Sequence, residues 1–442
     1  MITALTHIKT ERGALESVVD RLGSIEEVVE IFSITGKWDL LAHIQVPQYE
    51  NLSDVINGKI TRLPGIADTR TVTAFQQHKF RRADEERLSF EPSSEGLSAG
   101  RATIAPVLAK LADGYNLEKV EVASVVEAIA ANQLTDVQIA GFLVGLTNKG
   151  PTVSEVAAIA TAMREHALPI SVDGQGDLTD LCGTGGGAAT FNVSTAASFV
   201  AAAGGVRVAK HGSRSISSKS GSADVLEALG VHIDQTPLQA AELIENIGMS
   251  FLYAPTFHPI MATVFGPENQ LGIKSIFFTI IGPLINPLRA RNHIMGVYKP
   301  ELVPMMAKVI AEMDFRHVLV VHGLDGLDEL SLLGATSIAD VKDGHIDYRE
   351  VTPEDFGLKR CRIEDIAGGT PEENAASIRA IFAGEDTGPR RDYLALNAGG
   401  ALYTAGRVES LRDGVAMAFD LISSGAAQRK LEELVAATSE LQ

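Results

Sequence analysis

An alternation of short β-rich runs with alanine-rich helical segments dominates the chain after residue 168 and constrains its fold more than any other feature. The β-rich runs include Val206–Ala209, Gly248–Tyr253, Ile294–Val297 and Val318–Val321. Strands that alternate with helices predict a mainly parallel sheet flanked by helices. The ligand site of such a sheet lies at the carboxyl ends of its strands, in loops that lead into helices. We therefore expect residues 168–442 to form an α/β domain with its functional residues in those loops.

Two shorter segments precede this α/β part. Residues 101–167 carry apolar residues at helical spacing, for example Ile104, Val107 and Leu111, which predicts a helical subdomain completed by helices from later in the chain. Residues 81–100 are polar, charged and rich in serine and glycine, which is typical of a linker.

Residues 1–80 predict a small α+β unit with the order β-α-β-β-α-β, which is the ferredoxin-like arrangement. Four short strands leave one face of their sheet uncovered, so we expect this unit to form a homodimer or a higher homo-oligomer. The predicted segments are strands at Ala4–Ile8, Val28–Ile34, Leu40–Val46 and Thr69–Phe75, helices at Gly13–Leu22 and Tyr49–Leu63, and a tight hairpin at Gly36–Asp39.

Charge and composition exclude several classes of protein. The formal net charge of −18 argues against non-specific binding of nucleic acid. No apolar run reaches the roughly 18–20 residues that cross a bilayer, and the first residues lack the plan of a secretory signal. We therefore expect a cytoplasmic protein without a membrane partner. With only two cysteines, Cys182 and Cys361, the chain has neither a disulfide framework nor a cysteine-rich zinc site.

The first candidate site is the glycine-rich run Gly183–Gly187, followed by Asn192, Ser194 and Thr195. Glycines let main-chain N–H groups approach an anion closely, and a helix that begins near Ser194 adds the positive end of its dipole. The run lacks the Gly-Lys-Ser/Thr of a P-loop and the third glycine of a dinucleotide-binding fingerprint. The alternative is a tight turn that packs a strand on a helix, with Ser194 or Thr195 as the helix cap.

The second candidate is a basic segment in an otherwise acidic chain. Between Val206 and Ser222 there are four lysines and arginines and a histidine but no acidic residue. The serine hydroxyls and glycines between them suit close packing on phosphate oxygens. The segment therefore predicts an anion site around Lys210–Lys219, and the alternative is an exposed polar loop.

The third candidate is the acidic pair Asp328-Glu329, which follows the apolar run His317–His322. Adjacent carboxylates at the end of a strand are hard oxygen ligands and suit Mg²⁺ bridging a pyrophosphate. An Asp-Glu pair alone is usually a solvated turn. Beside an anion site and a cationic loop, the pair predicts the metal partner of that site.

These three motifs, in this order, resemble those of the anthranilate phosphoribosyltransferase family and its nucleoside phosphorylase relatives. The resemblance runs from about residue 96 to the C-terminus and implies a helical subdomain, an α/β subdomain and a site at their hinge. Its further segments are Ala254-Pro255, His258-Pro259, Gly282–Pro287, Gly368-Gly369 and Asn397-Ala398.

The resemblance implies Mg²⁺-dependent transfer of phosphoribose from phosphoribosyl pyrophosphate (PRPP) to a small aromatic or nitrogenous acceptor, in tryptophan biosynthesis if the acceptor is anthranilate. Catalysis would come from positioning and from neutralising the leaving pyrophosphate. The implied roles are catalysis for Lys210, Asp328 and Glu329; metal binding for Ser194, Asp328 and Glu329; PRPP binding for Gly183, Thr184, Gly185, Gly186, Asn192, Ser194, Thr195, Lys210 and Ser222; and acceptor binding for His211, Ser213, His258, Glu268, Gly282 and Pro283.

The chain departs from the family's pattern mostly on the acceptor side. Ser213 replaces an asparagine that contacts anthranilate, and Glu268 falls where the family has an arginine for the substrate carboxylate. Gly187 replaces an aspartate, and the segment Ile276–Ile281 is one residue longer than usual. Two explanations remain open. Either Lys274 or another cation binds the carboxylate of anthranilate, or the acceptor is a different, less anionic nitrogenous ring.

The N-terminal unit resembles the effector-binding domain of Lrp/AsnC-type regulators over about residues 1–78, on the segments Gly36–Leu41 and Leu63–Ile66. The chain begins on the first strand, so the helix-turn-helix of those regulators is not expected and DNA binding is not implied. The resemblance implies a dimerising or small-molecule-sensing module, for example for an amino acid. An oligomerisation domain without a ligand is the alternative.

Two further classes of function remain open on the sequence. A nucleoside phosphorylase would use inorganic phosphate on the same architecture, but Asp328 and Glu329 would then have no magnesium pyrophosphate to hold. A ligand-sensing regulatory protein with a degenerate catalytic domain is favoured by the fused N-terminal unit and by Glu268. The retention of Lys210 and Asn192 argues against such decay. Binding of PRPP discriminates between an active enzyme and a degenerate catalytic domain.

Overall fold

The computed structural model describes residues 2–11, 13–25, 27–34, 38–46, 49–74, 104–174, 176–215 and 219–441. The chain divides into two compact units, one within residues 1–93 and one within residues 94–442. The predicted linker at residues 81–100 and the first two residues of the predicted hairpin lie outside the described residues. In the part of the chain that the structure describes, every helix falls short of the length and apolar character that a membrane span requires.

The N-terminal unit contains β1 (Ile2–Thr10), α1 (Leu15–Gly23), β2 (Val28–Ser33), β3 (Leu40–Val46), α2 (Tyr49–Ser53) with a π-helical continuation at Asp54–Ile60, and β4 (Ile66–Ala74). The strands form an antiparallel sheet in the order β2-β3-β1-β4, which confirms the predicted ferredoxin-like arrangement. Alternate side chains of β3 are buried in the core with Val18 and Leu22 of α1, because successive strand residues point to opposite faces. Val29 and Phe32 of β2 are exposed by 51% and 48%, so apolar surface remains open in this unit.

The predicted helical subdomain consists of α3 (Ala105–Ala112), α4 (Lys119–Ala130), α5 (Asp136–Lys149) and α6 (Val153–Glu165). Helices α5 and α6 begin at capping boxes, in which the side chains of Thr135 and Thr152 accept from the backbone three residues later. Their buried residues share one core with two later helices, Pro259–Leu271 and Leu302–Glu312. The prediction that later helices complete this subdomain is consistent with that shared core.

The α/β part is the largest region of the chain. Its strands are β5 (Thr179–Asp180), β6 (Val208–Gly212), β7 (Met249–Tyr253), β8 (Asn292–Gly296), β9 (His317–Gly323), β10 (Thr336–Lys342) and β11 (His345–Val351). Its helices are α7 (Val193–Ala203), α8 (Ser222–Ala228), α9 (Pro237–Ile247), α10 (Ala254–Phe257), α11 (Pro259–Leu271), α12 (Ile276–Thr279), α13 (Leu302–Glu312), α14 (Ile363–Ile366), α15 (Pro371–Phe382), α16 (Pro389–Thr404), α17 (Leu411–Ser423) and α18 (Ala426–Ser439), with short 3₁₀ turns at Gly282–Leu284 and Pro353–Phe356.

The seven strands form one mixed sheet in the order β11-β10-β9-β8-β5-β6-β7. Strands β9, β8, β5, β6 and β7 are parallel, and β10 and β11 extend the sheet as antiparallel strands. The prediction of a mainly parallel sheet is therefore confirmed, and each of the four predicted β-rich runs overlaps one of its parallel strands. The two-residue β5 and the antiparallel strands β10 and β11 were not predicted.

Helices cover both faces of the sheet. Along β9, Leu319 and Val321 share a core with α7 and α16, whereas Val318 and Val320 share a second core with α13 and the helical subdomain. Burial on both faces explains why β9 is apolar along most of its length. The loops that follow β5, β6, β8 and β9 are thereby held at one edge of the sheet, where the strands end.

Candidate active site

A cleft of about 1030 Å³ lies at the carboxyl ends of the parallel strands. Its walls come from the loop after β5, the loop after β6, the region from α10 to the 3₁₀ turn at Gly282–Leu284, and the loop after β9. Most of the residues that the sequence singles out line it: Gly183, Thr184, Gly185, Gly186, Asn192, Ser194, Lys210, His211, Ser213, Ser222, His258, Gly282, Pro283, Asp328 and Glu329. Thr195 and Glu268 are buried outside this lining.

The glycine-rich loop is anchored on the end of β8. The Thr184 amide donates to the Gly296 carbonyl at 2.9 Å, and the Thr184 hydroxyl accepts from the Tyr298 amide at 3.1 Å. Gly185 and Gly186 have φ angles of 65° and 91°, in the left-handed region that favours glycine. The loop therefore stays open to an anion through its backbone, without side chains in the way.

Gly187, where the family pattern has an aspartate, lies directly against the acidic loop. A β-carbon at this position would fall 2.8 Å from the Asp328 amide nitrogen, closer than packed atoms allow. The amide of the next residue, Ala188, donates to the Gly326 carbonyl at 3.1 Å. The absent side chain thus lets the two loops pack together, which is a steric role that the sequence comparison did not indicate.

Asn192 ties three segments of the cleft wall together. Its Nδ2 donates to the Ser220 carbonyl at 3.0 Å, and its Oδ1 accepts from the Ser220 hydroxyl at 3.0 Å and from Asn374 Nδ2 at 2.8 Å. Neither Ser220 nor Asn374 was among the predicted site residues: Ser220 lies in the basic segment but was not singled out within it, and Asn374 is distant in sequence and belongs to no motif. Ser194, in the first turn of α7, lines the cleft beside Asn192, where the positive end of the helix dipole favours an anion.

The basic segment contributes fewer cations to the cleft than its sequence suggests. Lys210 is 2% exposed, burial lowers the pKa of its ammonium group, and its Nζ donates to the Leu181 carbonyl at 2.6 Å. Arg207 donates instead to the carbonyls of Asp173 and Gly176, outside the cleft lining. Arg214 lines the cleft but is paired with two carboxylates, those of Asp224 and Glu227.

A buried carboxylate below the cleft fixes the strand that carries Lys210. Asp180 Oδ1, at the end of β5, accepts from the backbone amide of His211 at 3.0 Å, and Oδ2 accepts from Asn286 Nδ2 at 2.8 Å. Asn286 Nδ2 also donates to the Ala209 carbonyl at 2.8 Å. Asn286 stands inside the segment Gly282–Pro287 that the sequence singles out, but its contact with Asp180 appears only in the folded chain.

The acidic pair Asp328-Glu329 faces the cleft from the loop after β9. Burial raises the pKa of both carboxyl groups, and the neighbouring charge of Asp328 helps raise the pKa of Glu329 to about 8. Such a raised pKa marks a place where an added cation would relieve mutual repulsion, so the donor set fits Mg²⁺. No cluster of three or more His, Cys, Asp or Glu side chains suited to a metal occurs among the described residues. Oxygens of a bound phosphate and of water would therefore have to complete the coordination.

Two histidines lie together in the wall of the cleft. The rings of His211 and His258 are 5.1 Å apart between centroids, and their four ring nitrogens are buried without a hydrogen-bond partner among the described residues. The backbone near Gly282 and Ile285 approaches them without good hydrogen-bond geometry. Burial lowers the pKa of His211 well below its usual value and that of His258 to about 4. Both rings are therefore neutral near pH 7, and each offers one donor and one acceptor to a ligand.

The surroundings of the histidine pair are mostly apolar, with side chains from α11 and α12 on the wall. Ser213 is exposed there, and its hydroxyl donates to the Arg214 carbonyl at 3.1 Å. Glu268 is only 1% exposed, and its Oε1 accepts a hydrogen bond from the Ser275 amide. The structure thus brings Ser213 to the cleft but not Glu268. The lining residues from α11, α12 and the segment between them are Met261, Ala262, Phe265, Lys274, Phe277 and Thr279.

Comparison with known families matches three parts of the chain. Residues 105–167 match the helical bundle domain of the glycosyl transferase family, and residues 175–428 match the a/b domain of the same family. Residues 3–84 match the Lrp/AsnC ligand binding domain.

Similar proteins are found among both curated sequences and solved structures. An anthranilate phosphoribosyltransferase from Acetivibrio thermocellus is 45% identical over 335 residues, which cover 75% of this chain and 96% of that protein. One from Nitrosospira multiformis is 48% identical over 320 residues, 71% of this chain and 91% of that protein. The crystal structure of the Thermus thermophilus enzyme has 43% identity and a TM-score of 0.71, covering 75% of this chain and 99% of that one. The Saccharomyces cerevisiae enzyme in complex with PRPP and Mg has 26% identity and a TM-score of 0.69, covering 76% and 98%.

Proposed function

The chain belongs to the anthranilate phosphoribosyltransferase branch of the glycosyl transferase family, and we propose that it transfers phosphoribose from PRPP to anthranilate in a Mg²⁺-dependent reaction. The observation that carries the proposal is that two chemically different groups of residues line one cleft. One group comprises the glycine loop, Lys210 and the acidic pair, and the other comprises two neutral histidines with apolar side chains.

The first group suits the phosphates of PRPP. Gly183, Gly186, the first turn of α7 and Lys210 line the same cleft and can offer N–H donors or positive charge to an anion. Asp328 and Glu329 would hold Mg²⁺ together with ligand and water oxygens, and Ser194, which lines the same cleft, would supply a further oxygen. Bound there, the ion would neutralise charge on the leaving pyrophosphate. The PRPP contacts that we propose are Gly183, Thr184, Gly185, Gly186, Asn192, Ser194, Lys210 and Ser222; Thr195, which the sequence also predicts, is buried outside the cleft lining and is left out.

The second group suits an aromatic amine. Its nitrogen lone pair forms the new bond to the ribose C1 as the bond from C1 to the pyrophosphate oxygen breaks, and the nitrogen then releases a proton to water. A neutral ring nitrogen of His211 or His258 can accept a hydrogen bond from the amine and so direct its lone pair. Because the pKa of His258 is about 4, this ring orients the amine and is a poor base.

We further propose that the N-terminal unit dimerises and binds a small ligand such as an amino acid. Its match to the Lrp/AsnC ligand binding domain and the exposed Val29 and Phe32 support this role. We also propose that the protein is a cytoplasmic homodimer. Each chain would consist of the N-terminal unit (residues 1–80), a linker (81–100), the helical subdomain (101–167) and the α/β domain (168–442).

Release of pyrophosphate from PRPP tests the proposed reaction. The full-length protein with Mg²⁺ should release pyrophosphate when anthranilate is added, and calorimetry should detect binding of PRPP that requires Mg²⁺. Failure to bind PRPP would overturn the enzyme assignment and favour a regulatory protein with a degenerate catalytic domain. Pyrophosphate release with other nitrogenous rings but not with anthranilate would identify a different acceptor, and phosphate-dependent cleavage of a nucleoside would identify a phosphorylase.

A further inference from the structure

The segment Gly368-Gly369 belongs to the sequence resemblance, yet neither glycine lines the cleft. It packs behind the loop that leads into α7. The Phe191 amide, in that loop, donates to the Ile366 carbonyl at 3.1 Å. A β-carbon on Gly368 would collide with the Thr190 carbonyl, so only glycine allows this close approach. The segment therefore supports the cleft wall from behind.

Asn374 of α15 joins this segment to Asn192 in the cleft wall. It is only 3% exposed, and both ends of its side-chain amide are hydrogen-bonded. Its Oδ1 accepts from the Gly369 amide at 2.8 Å, and its Nδ2 donates to Asn192 Oδ1 at 2.8 Å. A backbone amide can only donate, so the Gly369 amide fixes which end of the Asn374 side chain faces it. The other end, which faces Asn192, is therefore the donor.

The hydrogen bond from Asn374 influences what Asn192 can offer to a ligand. Asn192 Oδ1 accepts from Asn374 and also from the Ser220 hydroxyl at 3.0 Å, which uses both of its lone pairs. Asn192 Nδ2 donates to the Ser220 carbonyl at 3.0 Å, and its second hydrogen has no acceptor among the described residues. Because Asn192 lines the cleft, the group that it offers there is an N–H donor, which suits an oxygen of phosphate or ribose.

We infer that Asn374 is a positioning residue for PRPP, because it holds the side-chain amide of Asn192 with Nδ2 as the group available to the ligand. This inference rests on the proposed phosphoribosyl transfer, in which Asn192 contacts PRPP, and it adds to that site a residue outside the cleft lining. Without the Asn374 amide, Asn192 Oδ1 keeps only the Ser220 hydroxyl, and the orientation of the amide is less restrained.

Calorimetric titration with PRPP in the presence of Mg²⁺ tests whether Asn374 acts through Asn192. Asn374→Ala should weaken the binding of PRPP by about 3- to 10-fold, because Asn192 loses one hydrogen bond. Asn192→Ala should weaken it by about 10-fold. In the double variant, Asn374→Ala should add nothing, because the amide that it positions is gone. Asn148→Ala, at an exposed position on α5, is the control and should bind as the wild type does.

Asn374→Asp separates the orientation of Asn192 from support of the backbone. The aspartate keeps the shape of the side chain and an acceptor for the Gly369 amide, but it turns an acceptor instead of a donor towards Asn192 Oδ1. We therefore expect Asn374→Asp to bind PRPP more weakly than Asn374→Ala. A residue that only supported Gly369 would give the reverse order.

Turnover with anthranilate adds a second measurement. Asn374→Ala should raise KM for PRPP and leave KM for anthranilate unchanged, whereas general loosening of the cleft would raise both and overturn the inference. Independent effects of the two alanine substitutions, or tighter binding by Asn374→Asp than by Asn374→Ala, would also overturn it. Failure of the wild-type protein to bind PRPP would instead overturn the proposed function, so the two failures are distinguishable.

Discussion

The hydroxyl of Tyr393 donates a 2.6 Å hydrogen bond to Glu329 Oε2. Tyr393 belongs to α16 and is fully buried, with its ring edge-to-face against Phe191 at 6.1 Å between centroids. One carboxylate oxygen of Glu329 is thus held by α16, a helix that lies about 60 residues later in the chain. The relationship joins the loop after β9 to the helical layer behind the sheet, and it orients Glu329 at the cleft.

Replacing Tyr393 with phenylalanine should loosen this orientation with little change in shape. We expect Tyr393→Phe to weaken the binding of PRPP in the presence of Mg²⁺ by about 10-fold, because Glu329 loses a hydrogen bond to its charged form. Calorimetric titration with PRPP at several Mg²⁺ concentrations measures the effect. Tyr348→Phe, at an exposed position on β11, should bind as the wild type does; equal binding by both variants would contradict the role of Tyr393.

Lys210 is expected to matter for binding more than for stability. Lys210→Met should weaken PRPP binding by about 100-fold, since the only buried lysine of the described cleft lining is lost. The melting temperature should not fall, because a buried ammonium group is costly to desolvate and methionine fills a similar volume. Calorimetry and thermal unfolding measure the two effects, and Lys342→Met, on an exposed residue of β10, serves as the control. A variant that melts early but still binds PRPP would show a structural role instead.

The buried His258 should make the protein less stable in acid. Its pKa is about 4 in the folded state and about 6.5 when unfolded, so the unfolded chain binds more protons between these values. The free energy of unfolding should therefore fall as the pH drops from 6.5 towards 4, by roughly 3 kcal/mol at most from this residue. Urea unfolding at several pH values should show a flatter dependence for His258→Gln, and the wild-type dependence for His345→Gln at an exposed position.

Glu329 should have the opposite effect on stability. Its pKa of about 8 lies above the ordinary value of 4.5, so the folded protein keeps a proton that the unfolded chain releases. The stability contributed by this group is present below pH 4.5 and is lost as the pH rises through 8. In the absence of Mg²⁺, Glu329→Gln should remove the alkaline part of this loss in thermal unfolding, and Glu350→Gln on β11 should not. Identical alkaline profiles for wild type and Glu329→Gln would contradict the raised pKa.

The N-terminal unit should be dispensable for catalysis. The alignment with the Acetivibrio thermocellus relative covers 96% of that protein but only 75% of this chain. The relative therefore has too few unmatched residues to contain a counterpart of the N-terminal unit. Removal of residues 1–88 should therefore preserve pyrophosphate release from PRPP and anthranilate. If the unit dimerises the protein, the mass in solution should decrease in the same variant, as measured by light scattering. An unchanged mass would contradict dimerisation through the N-terminal unit.

Several of the site residues could be predicted because they belong to local motifs. The glycine loop, Lys210 and Asp328-Glu329 each stand out by residue type and spacing within a few positions of the chain, and the structure brings all of them to one cleft. The residues that were missed act at long range. Tyr393 reaches Glu329, and Asn374 reaches Asn192, across large separations in sequence that no local pattern reveals.

The position of a residue in the sequence also failed to predict whether its side chain points into the cleft. Glu268 falls at the position of a substrate-binding arginine, yet its side chain accepts from the Ser275 amide and does not line the cleft. Arg207 and Arg214 belong to the basic segment, yet one contacts backbone carbonyls outside the cleft and the other is paired with carboxylates. Where a side chain points depends on the packing around it, which a sequence position alone does not specify.

The sequence by itself determined the family, the two kinds of domain, the mainly parallel sheet and which loops carry the candidate site, because periodicity and motif chemistry are properties of neighbouring residues. Only the tertiary structure decided which cations face the cleft, that Tyr393 and Asn374 hold its polar residues, and that two neutral histidines lie together in its wall. Those features arise from contacts between distant segments and from the burial that folding creates, since both hydrogen-bond partners and pKa values depend on what surrounds a group in space.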